Sequence, residues 1–148
     1  MESLYFEDFE EGMELKTSGR TITEADIVMF AALTGDWNPL HTDSEFAKKT
    51  IFGQRIAHGT LTFAIMTGLL ARLGFIEKTV LAFYGVDKLR FTNPVFIGDT
   101  ITVLAKVVEK RDKQQFGVVT IEANVVKQTG DTVMKCILKV AVKKKVTS

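Results

Sequence analysis

Cysteine, proline and histidine are all scarce in this 148-residue chain, which holds one Cys, two Pro and two His. A single cysteine excludes an intrachain disulfide. Cys136 falls in the alternating run 133–142 and reads as a small buried apolar residue. Two prolines, Pro39 and Pro94, and the lack of any repeat or low-complexity stretch mark no linker, so a single domain over residues 1–148 is expected. No segment approaches about eighteen consecutive apolar residues, which argues against a membrane span. The N-terminal MESLYFEDFEEGMEL lacks the positive and apolar regions of a secretory signal, and a cytoplasmic location is the expectation. Nineteen Lys and Arg against eighteen Asp and Glu leave a net charge of +1, too little basic excess to advertise nucleic acid. The balance is uneven: residues 1–60 carry eleven acids and five bases, residues 61–148 seven and fourteen. Either the halves neutralise each other on packing, or a basic patch serves an anionic ligand.

What is present divides the chain in two. The first half reads as helices and loops. Thr23 and Asp26 form a capping box with Asp in place of Glu. After it, Ile27, Phe30, Ala31 and Leu33 predict an apolar stripe on a short helix that ends near Gly35. Residues 35–42 read as loop around Asn38-Pro39, and residues 44–49 as one helical turn. The run that follows His58-Gly59 has Leu61, Ile65, Met66, Leu69, Leu70 and Leu73 around most of a helical circumference, which predicts a buried helix. After Gly74 the period changes to two. Runs near 79–91, 99–110, 116–128 and 131–143 read as strands. Their inward faces are Ile101/Val103/Ala105/Val107, Val119/Ile121/Ala123/Val125 and Cys136/Leu138/Val140/Val142. Residues 128–131 suit a hairpin turn, and Lys143–Lys145 a solvated strand end. One apolar helix and a long antiparallel sheet of about five strands give an α+β layer arrangement. An open sheet leaves edges to be covered, and pairing with a second copy is the expected solution.

Chemistry is confined to few places. No HxxxH or CxxC spacing occurs, and His41 and His58 stand seventeen residues apart, so no metal site is expected. No GxGxxG, Walker or GxSxG motif is present. Asp36 and His41 lie five apart across a loop that Asn38 and Pro39 can reverse, letting both side chains face one point. A carboxylate and an imidazole so placed are equipment for proton transfer. Equally, Asp36 suits capping of the Asn38 or Leu40 N–H groups, and His41 a bond to a carbonyl. Gly59 stands at the start of the apolar helix, where free N–H groups meet a partial positive charge and no Cβ blocks an acceptor. A carbonyl oxygen there would have its developing negative charge stabilised; alternatively Gly59 only permits a tight entry into the helix.

These same residues carry a resemblance. FAALTGDWNPLH at 30–41, with Ala47 six residues on, resembles the signature of the MaoC-like family, which includes (R)-specific enoyl-CoA hydratases and related dehydratases of the hot-dog fold. IFGQRIAHG at 51–59 resembles the family's next block, and FTNPVFIGD at 91–99 the strand and turn that follow. With the order of elements, the resemblance covers nearly the whole chain. It implies a hot-dog fold whose residues 23–58 form an overhanging catalytic segment. It implies further that Asp36 and His41 are the acid–base pair and Gly59 the backbone donor to a thioester oxygen. By position, Thr67 falls where these hydratases often have a serine that bonds the aspartate, and Asn38 holds the loop. The implied activity is a hydro-lyase reaction, the reversible hydration of a trans-2-enoyl-CoA, with no cofactor because CoA is part of the substrate. Met66, Leu69 and Leu70 are candidates for the acyl pocket. Lys88 and Arg90, or the 143–145 end, are candidates for the CoA phosphates, and a homodimer or higher homo-oligomer is expected. Two rival readings remain. One is a hot-dog acyl-CoA thioesterase that directs water at the thioester carbonyl; the other is a non-catalytic acyl-CoA-binding module.

Overall fold

Two short strands, β1 (Glu14–Lys16) and β2 (Arg20–Thr21), follow a turn of 3-10 helix at Phe6–Asp8. Runs of three and two residues are too short to show a period, and the sequence had pointed to neither. In the computed structural model, which describes residues 1–146, both pair antiparallel with a long strand, β4 (Thr100–Asp112). The helical elements between them and the sheet are α1 (Glu24–Thr34), α2 (Pro39–Thr42), α3 (Ser44–Ala47) and α4 (Gly59–Ala71). The remaining strands are β3 (Val80–Phe91), β5 (Gly117–Lys127) and β6 (Thr132–Val142). All six form one antiparallel sheet in the order β1-β4-β5-β6-β3, with β2 also beside β4. An antiparallel sheet laid around a central helix is the hot-dog arrangement.

The period-two pattern places the core as expected. Ile101, Val103 and Val107 on β4, Val119, Ile121 and Val125 on β5, and Cys136, Leu138 and Val142 on β6 are all buried against α4. Burying each such side chain contributes about 1.5–3 kcal/mol. The Cys136 thiol, in this apolar layer, has its pKa pushed up to about 11 by burial. Helix α4 departs from the expectation of burial all round. Leu61, Thr62, Ile65, Met66, Leu69 and Leu70 face the sheet, while Ala64, Gly68 and Ala71 are exposed, because one sheet can cover only one side of a helix. Strand β3 ends the sheet, its second edge unpaired among the described residues, and Leu81, Phe83, Tyr84 and Phe91 on it are at least half exposed.

Helix α1 begins as the capping box predicts: Thr23 Oγ1 accepts the Asp26 N–H, and Asp26 accepts the Thr23 N–H. Burial opposes ionisation of Asp26. The Thr23 N–H and hydroxyl, together with the Arg20 guanidinium, nevertheless hold its pKa below the usual carboxylate value. Ile27 and Ala31 are fully buried and Phe30 partly so. Leu33, expected on the same stripe, is 82% exposed, because two residues after Ala31 it points to nearly the opposite side of the helix. Residues 39–42, read as loop, close a helical turn with Pro39 at its first position, where the missing N–H costs nothing. Lys143 and Lys145 are exposed just past the end of β6, as expected of a solvated strand end, but the segment is also tied down. The Lys143 N–H bonds the Thr79 carbonyl, and Lys144 and Lys145 pair with Asp112 and Asp8.

Candidate active site

The chain from α1 into α2 is shaped by a relay of short polar side chains. Gly35 ends α1 at φ 80, a left-handed value that glycine adopts without strain. The Thr34 hydroxyl donates to the Phe30 carbonyl at 2.7 Å and accepts the Asp36 N–H at 3.1 Å. Asp36 Oδ1 accepts the Asn38 N–H at 3.2 Å, and Asn38 Oδ1 accepts the Leu40 N–H at 2.9 Å. Each side chain thus fixes the turn two residues ahead, the expected Asx geometry. Asn38 caps the Leu40 N–H, and capping by Asp36 uses one carboxylate oxygen.

His41 is held from the returning segment. Its Nδ1 lies 2.8 Å from the Ile56 carbonyl oxygen. A carbonyl has no hydrogen to give, so Nδ1 carries the proton and Nε2 is left as an acceptor. Arg55 anchors the same turn, its Nε donating to the His41 carbonyl at 2.7 Å while a terminal nitrogen meets Glu24 on α1 at 2.6 Å. The next residues join the sheet side of the molecule, with Ile56 bridged to Phe96 and the Ala57 N–H bonded to the Val95 carbonyl. The 91–99 block is locked in turn by Asp99. Burial raises its pKa, but the Phe96 N–H, the Gln128 amide and the Lys127 ammonium at 3.1 Å outweigh that and hold it below the usual value.

Asp36 and His41 meet at a cavity of about 420 Å³ whose other walls include His58, Gly59, Thr62, Phe91, Asn93 and Val133. Gly59 lies at the first turn of α4, and among the described residues no acceptor meets its N–H or that of Thr60. A Cβ on Gly59 would lie 2.9 Å from the Phe91 ring, so the close approach of that ring requires glycine. The cavity therefore holds an open carboxylate oxygen, an imidazole acceptor and free backbone donors at a helix N-terminus. That set can move a proton and stabilise a developing oxyanion.

The third member of the cluster was not among the expected site residues. His58, 2% exposed, stacks on His41 with ring centroids 3.9 Å apart and planes 27° apart. Its Nε2 lies 3.0 Å from the Asp36 carbonyl oxygen, and its Nδ1 is buried without a partner among the described residues. Burial lowers the His58 pKa; the bond to the Asp36 carbonyl opposes this without reversing it, and His41 adds to the lowering. Asp36, His41 and His58 each offer a ligand atom within 4.8 Å of the others. One nitrogen of each ring is bonded to a carbonyl, and the arrangement suits proton transfer.

Six expected residues lie elsewhere. The Thr67 hydroxyl donates to the Ala64 carbonyl of its own helix at 2.6 Å and does not line the cavity. It sits eight residues beyond Gly59, about 12 Å along the helix axis. Met66, Leu69 and Leu70 do not line the cavity either. They face the sheet and are buried in the core, so the apolar wall is instead made by Phe52, Ile56, Ala57, Phe91, Val95 and Val133. Lys88 and Arg90 line a different groove with Lys135 and Asn124.

Comparison with known proteins places these features in context. The family profile described as MaoC like domain matches residues 8–129. Protein MaoC of Klebsiella aerogenes is 43% identical over 111 residues, 75% of this chain but only 32% of that longer protein. An (R)-specific enoyl-CoA hydratase of Rhodospirillum rubrum is 40% identical over 103 residues, 70% of this chain and 69% of that enzyme. The crystal structure of a monoamine oxidase regulatory protein from Archaeoglobus superposes with a TM-score of 0.93 at 43% identity, covering 99% of this chain and 98% of that one.

Proposed function

The chain belongs to the MaoC-like dehydratase family, and on that footing we propose that it is an (R)-specific enoyl-CoA hydratase, acting in reverse as a 3-hydroxyacyl-CoA dehydratase. One observation carries the reading: an acceptor nitrogen on His41, a free oxygen on Asp36 and unpartnered N–H groups at Gly59 and Thr60 converge on a single cavity.

In this mechanism the thioester oxygen rests against the Gly59 N–H, and one water lies between Asp36 and His41. As the water oxygen bonds to C3, one of its protons passes to His41 Nε2 while Asp36 orients the remaining O–H. The C2–C3 double bond moves its electrons toward the thioester oxygen. The resulting enolate collapses by taking that proton back from His41 Nε2 at C2, on the same face, which returns His41 to its starting state and leaves the (R)-3-hydroxyacyl-CoA as product. Positioned acid–base groups supply about 10²–10⁴ in rate. An oxyanion donor adds on the order of 10²–10³. No step needs a cofactor, since CoA arrives as part of the substrate.

The unpaired edge of β3, with Leu81, Phe83, Tyr84 and Phe91 exposed, supports a homodimer formed along that strand. Phe91 also lines the cavity, so a second copy there would border the site. No helix of the described residues is long and apolar enough to cross a membrane.

The test is the loss of conjugated enoyl absorbance of crotonyl-CoA, with a thiol reagent in a parallel sample. Absorbance loss without thiol release is the expected result. Thiol release would replace the reading with a thioesterase, and acyl-CoA affinity without turnover would replace it with a binding module.

A further inference from the structure

His58 lies outside the pair that the reaction uses, yet it touches both members. Its Nε2 is 3.0 Å from the Asp36 carbonyl, and its ring lies under the His41 ring. The carbonyl can only accept, so the proton is on Nε2 and Nδ1 is bare. That bare nitrogen is buried and meets no donor among the described residues. A histidine retained only to fill space would be expected to satisfy both nitrogens, and a buried polar atom left alone calls for an explanation.

The explanation offered by the geometry is that turning the ring to satisfy Nδ1 would release Asp36. The Asp36 side chain is on the exposed part of the overhang, and its own turn is tied by weak local bonds at 3.1 and 3.2 Å. The bond from His58 is the one among those found that fastens the Asp36 backbone to the first turn of α4, where the Gly59 donor lies. We propose that His58 is a positioning residue that acts as a neutral base-plate, setting Asp36 and His41 in register with the N-terminus of α4. This rests on the hydratase reading for its consequence in rate, though its geometry does not depend on the substrate.

Neutrality belongs to the device. A second proton would place a buried N–H with no acceptor beside His41, and the environment lowers the His58 pKa accordingly. The titratable groups that face it are His41 from α2 and Asp36 from the preceding loop; from α1 the neighbour is the uncharged edge of Phe30, at 5.0 Å between ring centroids.

Nitrogen NMR of the histidine side chains tests the first half directly, because the chain contains two histidines and gives two imidazole patterns. His58 is expected as the Nε2–H tautomer, titrating below an ordinary histidine. Titration at or above the ordinary histidine value of about 6.5, or the Nδ1–H tautomer, would overturn the proposal. The second half is tested by His58→Phe, which keeps a ring but loses the donor, and by His58→Gln, which returns a donor near the Nε2 position. His58→Phe should lower kcat on crotonyl-CoA about 10²-fold, as expected for a misplacement of about 1 Å, with KM little changed. His58→Gln should recover about tenfold of that loss. A kcat for folded His58→Phe within about threefold of the parent, or no recovery in His58→Gln, would overturn it. If the parent protein itself fails to hydrate crotonyl-CoA, the functional reading falls. The NMR tautomer, and the change expected in the His41 signals of His58→Phe, still decide the positioning role.

Discussion

Along β4, Ile101, Val103, Ala105 and Val107 are each at most 4% exposed, whereas residues 35–46 of the overhang contribute no buried residue. The two regions are held by different forces. The sheet buries an alternating apolar face, and its stability scales with the area removed from water. The overhang is tied by side-chain-to-backbone bonds from Thr34, Asp36, Asn38, Thr42 and Asp43, each of modest net worth, about 0.5–1.5 kcal/mol. The difference teaches where substitutions should be felt: in the sheet as lost stability, in the overhang as lost geometry and hence lost rate.

Asp36→Asn should give the largest effect and the sharpest form of that contrast. Turnover on crotonyl-CoA should fall about 10³-fold, while thermal unfolding stays where it was. A large drop in melting temperature would break the contrast, because the overhang would then be a stability element. Asp99→Ala addresses the opposite region. The Asp99 and Lys127 side chains are only 11% and 10% exposed, so removing one leaves the other buried and uncompensated. Equilibrium denaturation should show a loss of about 3 kcal/mol. Because the folded pKa of Asp99 is lowered, its contribution is full above the unfolded carboxylate value of about 3.9 and is lost as pH falls through the folded value. The difference between parent and variant should therefore shrink below about pH 4, and a constant difference down to pH 2 would count against the ion pair. Gly59→Ala lies where the regions meet. Its Cβ forces the Phe91 ring of β3 to move, and a reduction of kcat of about tenfold is expected, with a smaller effect on stability.

Much of this division was legible in the sequence. Period-two runs announced β3 to β6 because each is at least eleven residues long, and Thr23 with Asp26 announced the start of α1. Strands β1 and β2 escaped because pairing with β4, rather than a pattern of their own, makes them strands. The Asp36–His41 spacing and the glycine at the head of α4 identified residues that do line one cavity. His58 escaped because its partners are a backbone carbonyl 22 residues earlier and the face of another ring, and neither leaves a mark in spacing. The one available signal was scarcity: both histidines of the chain flank the same helix entrance. Met66, Leu69 and Leu70 fall in the core and not on this cavity, since periodicity tells which residues a helix buries, not whether they face a sheet or a cavity. Thr67 turns its hydroxyl to its own helix, since a register along α4 does not say where a hydroxyl points.

A double-mutant cycle on crotonyl-CoA hydration, comparing Asp36→Asn, His41→Ala and the two together, asks whether the overhang holds a single reacting unit. If both groups act on one water, the double variant should be no slower than the slower single variant to within about threefold. A loss equal to the product of the two single losses, about 10⁶-fold, would mean that the two side chains act independently and would contradict a shared water.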